Sequence, residues 1–329
     1  MRATPWIVVA GLLAGCDNGK EHADPVPRPD AGLDAAVPSW WQPAPGAVGA
    51  WDLQVRAPFD VSAPHAMFDL DLWALVPAAT TLDYGDGAPV TVPAGSQAAT
   101  IAALRARATP PVIICRIATG AIRLSDPDAG KFPGFAASPP DRPDAPAAGS
   151  AIGWSTQDPA APDERFLDLR AASRDAWAPL VWKRLDLARD LGCDGVEADR
   201  NDSITSNPGW TMAPAEQTSW YAEVAAQAHA RGLSVGMKNG TTLPGQVDAL
   251  ADDFDWLLVE RCGEYDDCDV TRPFIQAGKA VLAVDFDTSA EGITQPAATL
   301  CTRQQSAQVV DGLVKDVALT SAVRVSCAP

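Results

Sequence analysis

A single closed (β/α)8 barrel of the TIM type is the fold this sequence predicts, and three observations predict it. Eight short apolar runs recur after residue 50. Several are apolar almost without interruption, as strands covered on both faces are. Helix-forming segments stand between most of them, and strands alternating with helices build a parallel sheet that eight strands can close.

Before the barrel come two segments without a core. Residues 1–15 and the Cys that follows read MRATPWIVVAGLLAGC, with one Arg, small residues before Cys16 and an apolar run too short to span a bilayer. Leu13-Ala14-Gly15-Cys16 resembles a bacterial lipobox. On that reading residues 1–15 are a lipoprotein signal peptide and Cys16 carries a lipid; an ordinary secretory signal is the alternative. Residues 16–48 are rich in Pro, Ala and Asp. Such composition buries too little apolar surface to fold, which predicts a disordered tether and a folded domain over 49–329.

The expected strands are WDLQV (51–55), MFDLDLW (67–73), VIICRIA (112–118), DGVEAD (194–199), LSVGMK (233–238), DWLLVE (255–260), AVLAVDF (280–286) and AVRVS (322–326). Too few residues separate the first two for a full helix. Residues 79–92 read as an inserted hairpin turning at Asp86-Gly87. The long Pro-rich connection 121–163 would hang over the C-terminal face of a barrel, where active sites lie. Residues 171–191 place Trp177, Val181, Leu185 and Ala188 on one helical face. Residues 214–231 begin at a Pro, carry Glu216 in the first turn and stop before Gly232, all helix-boundary signals. His229 falls in the last turn, where a cation favours the helix end.

Composition narrows the partners. The formal net charge is −17, which argues against nucleic acid, since phosphate binding needs clustered Lys and Arg. It suits a cationic partner or simply a solvated acidic surface. The 11 Trp can stack on sugars, although most should serve the core. With three His and no CxxC pair, no metal is expected. Without a GxGxxG or GxxxxGK loop, no nucleotide cofactor is expected. Setting Cys16 aside leaves six Cys, an even number that fits an oxidising compartment. Proximity pairs Cys262 with Cys268 and Cys301 with Cys327, and leaves Cys115 and Cys193 as buried free thiols.

Chemistry enters through carboxylates at strand ends. Side chains alternate along a strand, so Glu197 and Asp199 share one face of DGVEAD. If Val196 and Ala198 pack on helices, both acids point into the barrel and Asp199 sits at its rim. Asp69 and Asp71 share a face of their strand, Glu260 ends another, and Asp285 is terminal in a fourth. Capping or pairing with Arg200, Arg261 and Lys238 would explain any one of these acids; four strands delivering acids to one end point to a site. Two carboxylates in different environments are what glycoside hydrolysis needs.

The runs ICRIATG, RLDLARDLGCDGVEADRND, AHARGLSVGMKNG, FDWLLVERCGEYDDC and PFIQAGKAVLAVDF, in that order, resemble glycoside hydrolase family 114. Its members are endo-α-1,4-polygalactosaminidases with a (β/α)8 barrel. The resemblance implies Asp199 and Glu260 as catalytic acids, and carries over Lys238-Asn239, the Asp69-x-Asp71 pair and the cysteines flanking an acidic loop at 262 and 268. The chain departs from the family pattern where Arg116 follows Cys115 in place of Tyr, where Arg200 replaces Asn, where Arg261 replaces Gln and in GAIRLSDPD after the third strand.

The expectation is therefore an exported, lipid-anchored, monomeric endo-glycosidase of the bacterial cell envelope. It would meet the membrane through Cys16 and cleave an α-1,4-linked galactosamine-rich polysaccharide. Asp199 is expected as nucleophile and Glu260 as general acid/base. Asp69, Asp71, Glu197, Lys238, Asn239, Tyr265 and Asp285 are expected to bind substrate, with loop packing the alternative for Tyr265. A surface glycan-binding barrel without turnover and a hydrolase of another polysaccharide are the rival expectations.

Overall fold

The computed structural model describes residues 39–143, 145–159 and 161–328. The signal segment 1–15, the lipidation site Cys16 and most of the expected tether lie outside the described residues.

Eight parallel strands form the barrel: β1 Trp51–Gln54, β2 Met67–Asp71, β3 Val112–Ala118, β4 Gly195–Asp199, β5 Ser234–Lys238, β6 Trp256–Glu260, β7 Val281–Phe286 and β8 Asp311–Lys315. Each pairs in parallel with the next in sequence from β1 to β8. Seven match expected runs. The eighth does not: the run at 322–326 yields a short strand, Arg324–Ser326, antiparallel to β8. The true eighth strand, DGLVK, has an acid and a base at its ends and so a weak apolar signal.

That last hairpin closes the barrel against β1 without a regular ladder. The Arg324 guanidinium donates to the Trp51 carbonyl at 2.6 and 2.9 Å, Val55 N–H to the Leu319 carbonyl at 3.0 Å, and the Trp51 indole to the Asp311 carbonyl at 3.2 Å. Lys315 and Asp52, both buried, pair at 2.6 Å across the same seam.

Alternation sorts the strands into two cores. Phe68, Leu70, Cys115, Ile117, Val196, Ala198, Val235 and Met237 face outward and pack with helix residues such as Trp177, Val181, Leu185 and Trp220. The helix Ala178–Leu191 has Pro179 in its first turn and ends at Gly192, φ 89°, a left-handed C-terminus that glycine adopts without strain. It is preceded by a separate short helix, Ala171–Arg174, where one continuous helix was expected. In Pro214–His229 the Glu216 carboxylate accepts the Ala213 N–H at 2.8 Å. His229 bonds Asp255 at 3.0 Å and stacks on Trp40. Trp40 and the Gly46 N–H, which donates to Asp311, belong to a packed segment, so residues 39–48 join the folded unit although the composition reading placed them in the tether.

Inside the barrel, Trp51, Leu53, Met67, Ile114, Trp256 and Leu282 form an apolar floor. The Trp256 ring fills the space over Gly236, where a Cβ would come within 2.2 Å of it. Above the floor the inward positions turn polar.

Three disulfides join Cys115–Cys193, Cys262–Cys268 and Cys301–Cys327. The first corrects the expectation of free thiols. Cys115 faces outward on β3 and Cys193 lies just before β4, so the parallel pairing of these strands brings their Cα atoms to 6.0 Å across 78 residues of sequence. The bonds fit an oxidising compartment.

Candidate active site

β4, β5 and β6 place Asp199, Lys238 and Glu260 side by side at their C-terminal ends. After each strand the chain turns through a left-handed residue: Arg200 (φ 65°), Asn239 (φ 51°) and Arg261 (φ 65°). Left-handed backbone costs a non-glycine residue about 1–2 kcal/mol, and three in a row around a barrel mouth mark a site held by its surroundings. Gly120 is part of that hold, because a Cβ there would lie 2.0 Å from the Arg200 carbonyl oxygen. Asn201, fully buried, accepts from Thr119 and the Trp220 indole, each at 2.8 Å, and so ties the β4 turn to β3 and to the helix Pro214–His229.

Asp199 and Glu260 line one open cleft of about 320 Å³. Its floor is Arg116, Asp199 and Lys238, and its walls include Arg200, Arg261 and Phe286. The connection 121–163 supplies the facing wall. With the residues just after it, it folds into an antiparallel sheet of Ala121–Arg123, Ile152–Ser155 and Glu164–Leu167, and brings Arg123, Thr156, Gln157 and Asp158 to the cleft.

The two acids are held differently. Asp199 is 6% exposed; its Oδ1 accepts the Arg200 N–H at 2.8 Å and its Oδ2 pairs with the Arg116 guanidinium. Burial alone would raise its carboxyl. Arg116, Lys238 and Arg200 outweigh that and hold it well below the usual range, so it is an anion at neutral pH. Glu260 is more open, its side chain 23% exposed. Its Oε1 lies 3.3 Å from Lys238 Nζ, its Oε2 accepts from Asn239 at 3.1 Å, and its own N–H donates to Asn239 at 2.8 Å.

A second carboxylate layer lies below. Glu197, fully buried, accepts Lys238 Nζ at 2.9 Å and stands 3.8 Å from Arg116 Nε. Burial and the Glu197 charge push the Asp69 carboxyl far up, so it keeps its proton beside Glu197. Asp71 contacts Arg116 at 3.4 Å. Asp202, in the loop after β4, is pushed up to about 6 by burial and then by the Asp199 charge.

Most expected site residues are thus brought together, but in layers. Asp199, Lys238 and Glu260 face the cleft; Asn239 orients Glu260; Asp71 and Glu197 lie beneath as counter-charges with the protonated Asp69 beside them, and Asp69 and Glu197 are completely buried. Asp285 is on the wrong face. Val284 and Phe286 point inward, so Asp285 points out, where it accepts the Gly263 and Glu264 N–H groups at 3.0 and 2.8 Å and the Gln304 amide at 2.6 Å. Counting alternate residues along AVLAVDF gives that answer. Tyr265 is 57% exposed and outside the cleft wall. Glu164, which is buried and pairs with Arg200 at 2.8 Å, was missed; it follows directly on the Pro-rich connection, with no periodic signal around it.

The profile of glycoside-hydrolase family GH114 matches residues 31–329, and the chain belongs to that family. It is similar to the solved structure of Ega3 of Aspergillus fumigatus in complex with galactosamine, at 24% identity and a TM-score of 0.62, covering 85% of this chain and 95% of that one. It is also similar to the glycoside hydrolase domain of PelA of Pseudomonas aeruginosa, at 17% identity and a TM-score of 0.48, over 85% and 98% of the two chains. No curated protein matches the chain.

Proposed function

We propose that this GH114 glycoside hydrolase cleaves α-1,4-linked, galactosamine-containing polysaccharide internally, with Asp199 and Glu260 as the reacting pair. The observation that carries the reading is their shared cleft of about 320 Å³, lined by one buried carboxylate kept anionic and one more open carboxylate. Galactosamine bound to Ega3, which has the same fold, supports the choice of sugar.

Asp199 attacks the anomeric carbon while Glu260 gives its proton to the leaving glycosidic oxygen. Glu260 then takes a proton from water as that water displaces Asp199. Arg116 and Lys238 keep Asp199 unprotonated between turnovers. Asn239, whose amide bonds both the side chain and the backbone of Glu260, fixes the rotamer that reaches the leaving oxygen. If water attacks directly, Asp199 acts instead as its base, and the anomer formed first inverts; NMR of the fresh product tells the two routes apart.

Asp199→Asn and Glu260→Gln should each lower reducing-end release from galactosamine polymers by about 10²–10⁴-fold with little change in melting temperature. Wild-type protein that releases no reducing ends from any galactosamine-containing polymer would sink the reading.

The N-terminal residues extend the proposal to the cell envelope. Cys16 carries a lipid after loss of residues 1–15, and the segment that follows tethers a monomeric barrel. Mass spectrometry of the mature N-terminus tests this, with Cys16→Ser expected to release the protein in soluble form.

A further inference from the structure

The wall that a ligand would meet differs from the charge of the protein as a whole. Arg123, Arg200 and Arg261 line the cleft with side chains 28–30% exposed. Two little-exposed acids that hold them, Glu164 and Glu264, lie behind. Glu164, paired with Arg200 and 4.0 Å from Arg123, has no exposed side-chain surface, and Glu264, 2.7 Å from Arg261, is 6% exposed. Arg116 and Lys238 repeat the pattern with Glu197. Arg200 also pairs with Asp158, a cleft residue whose side chain is 27% exposed, so on this wall the ligand sees mostly N–H donors, with one reachable carboxylate beside them. Beside them runs an apolar strip of Val55, Phe286, Val317 and Leu319, with the Arg261 guanidinium lying over the Phe286 ring at 4.7 Å. Val317 is 50% exposed although apolar.

We propose that the subsites of this cleft take N-acylated amino sugar, amide oxygen on the arginine wall and acyl methyl on the apolar strip, in preference to sugar bearing a free ammonium group. The inference rests on the hydrolase reading above and narrows its substrate. An acetamido group presents an acceptor and a methyl a few ångströms apart, and the two walls present their complements. A free ammonium brings donors only. On the arginine wall its one carboxylate is Asp158, already paired with Arg200; it meets like charge there, and its other carboxylate partners among the cleft residues are the reacting pair. Bound to the reacting pair, it would occupy the catalytic groups.

Three galactosamine polymers, fully N-acetylated, partly acetylated and fully de-N-acetylated, test this by release of reducing ends. Acetylated material should be cut at least about tenfold faster than the free-amine polymer, and mass spectrometry of products from the mixed polymer should find acetylated residues enriched at the new ends. Equal or faster cleavage of the free-amine polymer overturns the proposal while leaving the hydrolase reading intact. Failure to cut any of the three sinks the hydrolase reading instead. Calorimetry of the Asp199→Asn variant with length-matched N-acetylgalactosamine and galactosamine oligosaccharides still decides the preference in that case. Tighter binding of the acetylated set supports the proposal, whereas tighter or equal binding of the free-amine set, or no binding of either, overturns it. Arg261→Gln should narrow the wild-type ratio between the polymers, and an unchanged ratio counts against the arginine wall.

Discussion

The floor and the mouth of the barrel are built from the same strands and obey opposite rules. At the floor the inward positions are Trp51, Met67, Ile114 and Trp256, all at most 2% exposed, and each large side chain adds about 1.5–3 kcal/mol by leaving water. Two to four residues further along β3 and β6, and toward the ends of the neighbouring β4 and β5, the inward positions become Arg116, Glu260, Glu197, Asp199 and Lys238. Burying such charges is unfavourable unless each meets a partner, and here the partners come from neighbouring strands. The floor supplies the stability on which the mouth draws. That division lets an acid such as Asp199 remain charged at 6% exposure.

The sharpest way to break the contrast is Arg116→Met, which places floor chemistry in the mouth. Asp199 and Glu197 lose a shared cation, which should cost about 3–5 kcal/mol in denaturant unfolding and lower activity as well. Because Arg116 is the leading cation that holds the Asp199 carboxyl down, the acid limb of the pH–activity profile should move to higher pH. Trp256→Ala makes the reverse cut. It empties the floor beneath Gly236 and should cost about 3–5 kcal/mol, yet leave the turnover number unchanged well below the melting temperature. Activity falling in step with stability would show that floor and mouth are coupled.

The disulfides give a third comparison. Chain entropy alone assigns about 4.5 kcal/mol to the 78-residue link Cys115–Cys193 and about 2 kcal/mol to the six-residue link Cys262–Cys268. Thermal scans of the two double Cys→Ala variants should rank in that order. The smallest effect belongs to Asp202, whose carboxyl is pushed up to about 6. In the window between about pH 4 and 6 the folded state keeps a proton there that the unfolded chain has released. The contribution of Asp202 to stability is therefore present below that window and lost as pH rises through 6. Asp202→Asn should remove this slope and leave the variant more stable at pH 7 by an amount on the order of 1–3 kcal/mol.

Much of this was legible from residue order. Seven of the eight barrel strands, the two long helices and the inward aim of Glu197 and Asp199 follow from apolar runs and alternation. Two outcomes were legible but misread. The parity of AVLAVDF turns Asp285 away from the cleft, and the charged ends of DGLVK hide β8 from an apolar scan. Other features had no local signal. Nothing around Arg116 says that it pairs with Asp199, which is 83 residues away. Nothing near Glu164 says that it holds Arg200 from behind, and nothing at Cys115 names Cys193.

Strand, helix and facing direction are set within a few residues, by backbone geometry and the alternation of side chains, so the sequence by itself determined the barrel and the acids on its inner face. Which cation meets which acid, which acids a ligand can reach, and which thiols meet were decided by tertiary structure alone. Those depend on how strands far apart in the chain come to lie side by side around a closed circle, and charge–charge energy is set by distance in space rather than separation along the chain.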